Sequence, residues 1–198
     1  YKRESRRVFE IFQDFSPAVE RLSLDEAFID LTGTERLLGD PVEVGERLRR
    51  RVHDELGLPV SVGIGPIKMV AKIASQLAKP DGLMHVSQAE VRGFLDPLPV
   101  RRIWGVGPVA GDRIVSAGFE TLGDLARATD AELTSQLGDW GVEIAKLARG
   151  EDVREVEPYR DAVSYSEEHT FMNDISDHDM LESMIRTHAE SVARRLRR

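Results

Sequence analysis

Two adjacent carboxylates, Asp25 and Glu26, stand inside an apolar run, Leu22-Ser-Leu-Asp-Glu-Ala-Phe-Ile-Asp-Leu31. Carboxylates are costly to desolvate and are rarely buried unless paired or bound to a metal. Hard divalent cations such as Mg²⁺ prefer oxygen ligands, commonly one or two protein carboxylates completed by phosphate oxygens and water. Phosphoryl and nucleotidyl transfer use such ions to stabilise the attacking and leaving oxygens. The run reads as a β-strand, because Leu22, Leu24, Phe28, Ile29 and Leu31 are strand-compatible. Neighbouring strand residues face opposite ways. Asp25 and Glu26 therefore serve one site only if the chain bends, bulges or begins a hairpin there. The alternative is a half-exposed edge strand with both charges in water. A D-E pair alone is a weak signal, whereas S-x-D-E-A-F/Y between apolar residues is far more specific.

A second group lies in Ser61-Val-Gly-Ile-Gly-Pro-Ile-Lys68 and Ala71-Lys72-Ile-Ala-Ser-Gln-Leu-Ala-Lys79-Pro-Asp-Gly82. Lys72 and Lys79 are seven apart, which puts them near one helix face, and Lys68 lies one turn earlier. Three ammonium groups on one ridge could hold a triphosphate as point charges. The alternative is a solvated lysine face. The Gly-x-Gly turn does not match G-x-x-x-x-G-K-S/T, which argues against a Walker-type loop. The third group is Pro99-Val-Arg-Arg-Ile-Trp-Gly105-Val-Gly107-Pro108. Glycines between two short helices let backbone N–H groups of residues 105–107 approach a phosphate, and the next helix N-terminus favours an anion. Arg101 and Arg102 would add charge. Such contacts grip a nucleic-acid backbone without reading bases; an ordinary αα-hairpin is the alternative.

The elements that must position these groups follow from periodicity. Val8, Phe9, Ile11, Phe12 and Phe15 mark a helix over residues 2–15. Asp40-Pro41 caps a second helix, carried by Val44, Leu48, Val52 and Leu56 and stopped by Gly57. Residues 59–64 and 83–86 read as strands around a helix over 67–78. Strand, helix, strand, helix, strand over residues 20–86 indicates a mixed α/β unit. Ser87-x-x-Glu90 is a capping box, and short helices with no strand signal follow to about Pro158. We place a domain boundary near Ser87. Residues 150–161 are charged and read as a linker. A strand over 163–171 and a helix from about Asp177 complete the chain.

Composition narrows the function. The 198 residues, 41% hydrophobic and 31% charged, fit a globular protein of one large or two small domains. No apolar run approaches the ~20 residues of a membrane span. Zero cysteines exclude disulfides and cysteine–zinc sites, and the five histidines show no metal-binding spacing. A net charge of −8 argues against a uniformly basic nucleic-acid binder. Charge is uneven, however: residues 61–110 hold six basic and three acidic groups, and residues 111–161 six and twelve. A local basic surface on an acidic body suits phosphate binding at one place.

Taken together and in this order, the three groups resemble the Y-family translesion DNA polymerases. Leu22 to Asp30 is similar to the palm motif bearing two of that family's three catalytic carboxylates. Residues 61–75 and 78–82 are similar to its second palm signature, Ile103 to Gly107 to its thumb hairpin, and Ser164 to Phe171 to the entry into its little finger. Ile67 departs from the family's usual Asn. The resemblance implies an α+β fold: a partial palm (1–86) of mixed sheet with helices, an all-helical helix–hairpin–helix thumb (87–158), and the first strand and helix of a little finger (159–198).

The same resemblance implies roles. Asp25 and Glu26 would be catalytic and would bind Mg²⁺, two ions in the intact enzyme. Lys79 would contact the incoming deoxynucleoside triphosphate. Lys72, Arg101, Arg102, Gly105, Val106 and Gly107 would contact primer-template DNA. A sliding clamp would bind through a C-terminal region beyond this chain, and the protein would be a cytoplasmic monomer. The chain starts at Tyr1 and stops within a helical pattern, so it reads as a piece of a longer protein. The family's first catalytic aspartate is not in it, and the piece alone is expected to be inactive. Two rivals stand beside this reading: a palm-type nucleotidyl cyclase, and a non-catalytic DNA-binding subunit of polymerase shape.

Overall fold

A computed structural model describes residues 1–160 and 162–197. Asp161, the end of the charged stretch, and Arg198, the end of the last helical pattern, lie outside the described residues. Contacts group residues 1–158 into one compact unit and 159–198 into another.

The first unit opens with α1 (Lys2–Gln13), whose Phe9, Ile11 and Phe12 are buried as the apolar stripe requires. An antiparallel hairpin follows, β1 (Val19–Arg21) against β2 (Ala27–Ile29), with Glu20 opposite Phe28. The one-turn helix α2 (Glu35–Leu38) leads to α3 (Pro41–Leu56). Its start is fixed by the Asp40 side chain, which accepts from the Val42 N–H at 2.8 Å, and its end by Gly57 at φ +66°. Val44, Leu48 and Val52 of α3 join Phe9, Ile11, Phe12 and Phe15 in one apolar cluster.

Next comes a parallel crossover: β3 (Val62–Ile64), α4 (Lys68–Leu77) and β4 (Leu83–His85), with Val62 beside Leu83 and Ile64 beside His85. Gly63 lets helix and strand touch, since a Cβ there would lie 2.1 Å from the Ala71 carbonyl oxygen. The expected mixed sheet is thus two separate two-stranded sheets, one antiparallel and one parallel.

Beyond Ser87, a 3-10 turn (Gln88–Glu90) enters α5 (Val91–Leu95) through the expected capping box. A second 3-10 turn (Val100–Arg102) leads to α6 (Pro108–Ser116), α7 (Leu122–Arg127), α8 (Asp130–Leu137) and α9 (Asp139–Ala148). Capping boxes at Thr121/Asp124 and Thr129/Glu132 start α7 and α8. The apolar cluster of these helices includes Met69, Val70, Ile73 and Ala74 of α4, so the core runs on across Ser87.

Residues 150–158 are not a free linker. Asp152 is buried, and the stretch is hydrogen-bonded to α4 and β1. Composition misleads there because Asp152 is paired with Arg154, and the backbone of the stretch is held by the side chains of Lys68 and Glu20. In the second unit, α10 (His178–Leu196) begins at Asp177, whose carboxylate accepts from the Asp179 and Met180 N–H groups. The strand expected over 163–171 does not form. A strand requires a hydrogen-bonding neighbour, and among the described residues of this unit there is none. No helix among the described residues is long and apolar enough to cross a membrane.

Candidate functional site

The strand expected over residues 22–31 is short, and its first half is a loop. Leu22 and Ser23 both donate to the Glu26 carbonyl, at 2.9 and 3.3 Å, closing the β1–β2 hairpin. Inside it the Ser23 hydroxyl bonds the Asp25 carboxylate at 2.5 Å and accepts from the Asp25 N–H at 3.2 Å. Local Ser–Asp hydrogen bonds of this kind compete with strand pairing. The alternation of strand faces therefore does not apply, and the two carboxylates are free of the parity that would separate them.

The side chain of Glu26 is 39% exposed and lies 2.5 Å from the Lys72 ammonium, itself only 10% exposed. One turn earlier on α4, Lys68 holds Glu20 of β1 at 2.5 Å and donates to the Glu155 carbonyl at 2.9 Å. The helix thus grips the hairpin at two points. The lysine ridge stops there. The Pro80-Asp81-Gly82 turn ends α4 at Leu77, so Lys79 lies outside the helix, exposed, and makes no ion pair among the described residues.

The donor chemistry of Asp25 and Glu26 suits a hard divalent ion. Glu26 already accepts a cation, the Lys72 ammonium, and Asp25 is exposed on the same loop. Among the described residues no group of three or more His, Cys, Asp or Glu is placed to hold a metal.

The third group forms a tight turn between the 3-10 turn and α6. Val106 donates to Ile103 and Gly111 to Gly107, at 3.0 and 2.8 Å. Ile103 and Val106 are buried. Gly105 has φ +96°, which only glycine adopts easily. Gly107 has an ordinary φ of −77°, and a Cβ there would meet nothing within 4 Å. Neither backbone nor packing demands that glycine. The N–H groups of Gly105 and Gly107 find no acceptor among the described residues, which leaves an open donor pair at the start of α6. Arg101 is folded back onto Asp112 and the Pro108 carbonyl, whereas Arg102 is exposed.

Sequence reasoning missed the groups that join these parts. Asp152, with a side chain 1% exposed, accepts from the Met69 N–H in the first turn of α4 at 3.0 Å. It takes two further bonds from the Arg154 guanidinium, at 2.6 and 2.8 Å. Burial pushes the Asp152 carboxyl upward, but the Arg154 hydrogen bonds and charge, with the Met69 N–H, hold it below the usual carboxylate value. Arg154 is raised in turn by its bond to Asp152. No sequence signal marked Asp152, which lies in a stretch that composition marks as solvated.

The model of the impB/mucB/samB family matches residues 1–76, that of the IMS family HHH motif residues 89–119, and that of the impB/mucB/samB family C-terminal domain residues 162–198. A DNA polymerase IV of Desulfatibacillum aliphaticivorans is 42% identical over all of this chain and 50% of its own length. That of Caulobacter vibrioides is 41% identical over all of this chain and 49% of its own length. Among solved structures, DinB from Sulfolobus solfataricus superposes with a TM-score of 0.72 at 28% identity, over 80% of this chain and 47% of that one. An insertion ternary complex of Dbh DNA polymerase gives 0.71 at 27% identity, over 79% and 46%. The chain spans about half the length of the curated relatives it matches. Asp25, Glu26 and Lys72 fall in the first family match and Gly105 to Gly107 in the second.

Proposed function

The chain belongs to the impB/mucB/samB family of Y-family polymerases, and from that premise we propose that it is part of a DNA-dependent DNA polymerase of the translesion type. It is the part that carries two active-site carboxylates and grips the DNA backbone. One observation carries the reading: a single compact unit holds both the Glu26–Lys72 loop and the open Gly105–Gly107 hairpin. A nucleotidyl cyclase has use for the first and none for the second. In this reading residues 1–86 are palm, 87–158 thumb and 159–198 the entry to a little finger.

Asp25 and Glu26 would hold Mg²⁺, and Lys72 fixes the Glu26 carboxylate in place. Bound there, Mg²⁺ would supply the positive charge that stabilises the attacking and leaving oxygens of nucleotidyl transfer. Lys79, exposed and outside the ion-pair network, contacts the triphosphate of the incoming deoxynucleotide. The Gly105, Val106 and Gly107 backbone, with Arg101 and Arg102, holds the primer-side phosphates of primer-template DNA. The whole protein works as a cytoplasmic monomer and meets a sliding clamp through a C-terminal region beyond residue 198.

Residues 1–198 alone do not extend a primer, because the family pattern requires a third carboxylate beside Asp25 and Glu26. Template-dependent incorporation by the 198-residue chain would overturn that statement. In the longer protein, Glu26→Ala is expected to abolish extension while the circular dichroism stays that of a folded protein. Undiminished extension would sink the site assignment.

A further inference from the structure

Trp104 begins the Gly105–Gly107 turn, yet its ring is engaged away from it. The ring centroid lies 5.5 Å from that of Phe28, tilted by 59°. The Arg154 guanidinium carbon stands 4.6 Å from the same ring centroid. Phe28 is buried on β2, two residues after Glu26. Arg154 is fixed by the paired bonds to Asp152, and Asp152 by the Met69 N–H of α4. The turn closes through Val106 and Gly111 without any of these contacts. They join the turn to the carboxylate loop through Phe28 and to α4, which presents Lys72 to Glu26, through Arg154.

We propose that Trp104 and Arg154 are positioning residues that set the phosphate-gripping hairpin at a fixed place relative to the Asp25–Glu26 loop, with residues 151–157 as the strap that holds them. The inference rests on the reading of the hairpin as a DNA grip. Without the stack, the turn keeps its own hydrogen bonds and the buried Ile103 and Val106 but loses these ties to the carboxylate loop and to α4, and it spends part of its time misplaced. Apparent affinity then falls by the fraction that is competent. Arginine is required, because its planar fork both stacks on a ring and bonds a carboxylate with two parallel N–H groups, whereas lysine is a point charge.

The test is binding of a fluorescein-labelled primer–template duplex to the 198-residue chain, measured by anisotropy over a range of salt. Trp140→Phe leaves Trp104 as the only tryptophan, so its emission reports the stack directly. R154K and R154A are both expected to bind about three- to tenfold more weakly than the parent, the scale of a lost cation–π contact. The slope of log affinity against log salt should stay unchanged and the Trp104 emission should shift. If R154K does not fold, Trp104→Leu, which removes both ring contacts, serves as the comparison. Parent-like binding by R154K, or a flatter salt slope in R154A alone, would mark Arg154 as a phosphate contact or a bystander and overturn the coupling. Absence of binding by the unaltered chain would instead overturn the hairpin reading, and the coupling with it.

Discussion

Asp152 is the residue whose replacement tests the architecture most directly. It is 83 positions from Met69 in sequence, yet its carboxylate caps α4 there at 3.0 Å. Asp152→Ala removes a helix cap, about 1 kcal/mol in most hosts. It also strands the Met69 N–H where the native side chain was 1% exposed, and an unsatisfied buried donor costs about 1–3 kcal/mol. The two costs overlap, because the stranded donor is part of what the cap satisfies. Arg154, 41% exposed, can turn to water, so the lost ion pair adds little. The expected loss is therefore about 2–3 kcal/mol. Asp152→Asn keeps an oxygen for the Met69 N–H and should lose roughly half of that. Urea unfolding at neutral pH, followed by tryptophan emission, reads both values. Both tryptophans, Trp104 and Trp140, lie in the 1–158 unit, and the urea dependence should keep its slope if only stability changes. A loss below about 0.5 kcal/mol for Asp152→Ala, the range of ordinary surface changes, would refute the claim that this strap holds α4.

Gly107→Ala should leave stability within about 0.5 kcal/mol, since the added methyl meets nothing, but should weaken DNA binding in the anisotropy assay by blocking phosphate approach. Gly105→Ala should instead cost about 1–2 kcal/mol in urea unfolding, because its φ of +96° suits only glycine. Asp152 and the capping residue Asp124 both have lowered carboxyl values, the first against its burial through Arg154, the second through the Thr121 N–H and hydroxyl. A lowered acid stabilises the fold above its unfolded value and loses that contribution as pH falls through the folded one. The urea midpoint should thus hold from pH 7 to about 5 and fall below about pH 4, with a shallower fall in Asp152→Asn. Glu26→Ala should cost more stability than Lys72→Met. The first strands an ammonium 10% exposed, whereas the second leaves a carboxylate 39% exposed that water can reach.

The helices were legible because their signals are local. The α3 start needed only Asp40-Pro41 and its end only Gly57, and the capping box at Ser87 sits three residues from its partner Glu90. The strands were not, because each is three residues long and its limits are set by partners elsewhere in the chain. Leu22 to Glu26 has strand-type residues, but Ser23 and Asp25 satisfy each other and the hairpin closes early. Asp152 was illegible for the opposite reason. Its partners are Arg154, two residues on, and a backbone N–H 83 residues back, and nothing in its neighbourhood distinguishes it from a solvated acid. Lys72 and Lys79 were grouped by spacing alone, which fails as soon as the helix stops between them.

The element that unites the site is α4. Its apolar side gives Met69, Val70, Ile73 and Ala74 to the larger core, which fixes its axis. Lys68 and Lys72, one turn apart, then reach Glu20 and Glu26 on either side of the hairpin bend. A lysine nine-tenths buried requires a counter-charge, so each ammonium selects where its carboxylate must lie. The carboxylate loop is exposed and short, and its own hydrogen bonds shape it without anchoring it. Its placement comes from the helix, and the helix's first turn is capped by Asp152. Fixing a metal-ligand type of side chain from a packed helix rather than from its own loop leaves the loop face open to substrate. The residues that set the site's geometry, Lys68, Lys72 and Asp152, are therefore buried ones that need not touch the substrate themselves.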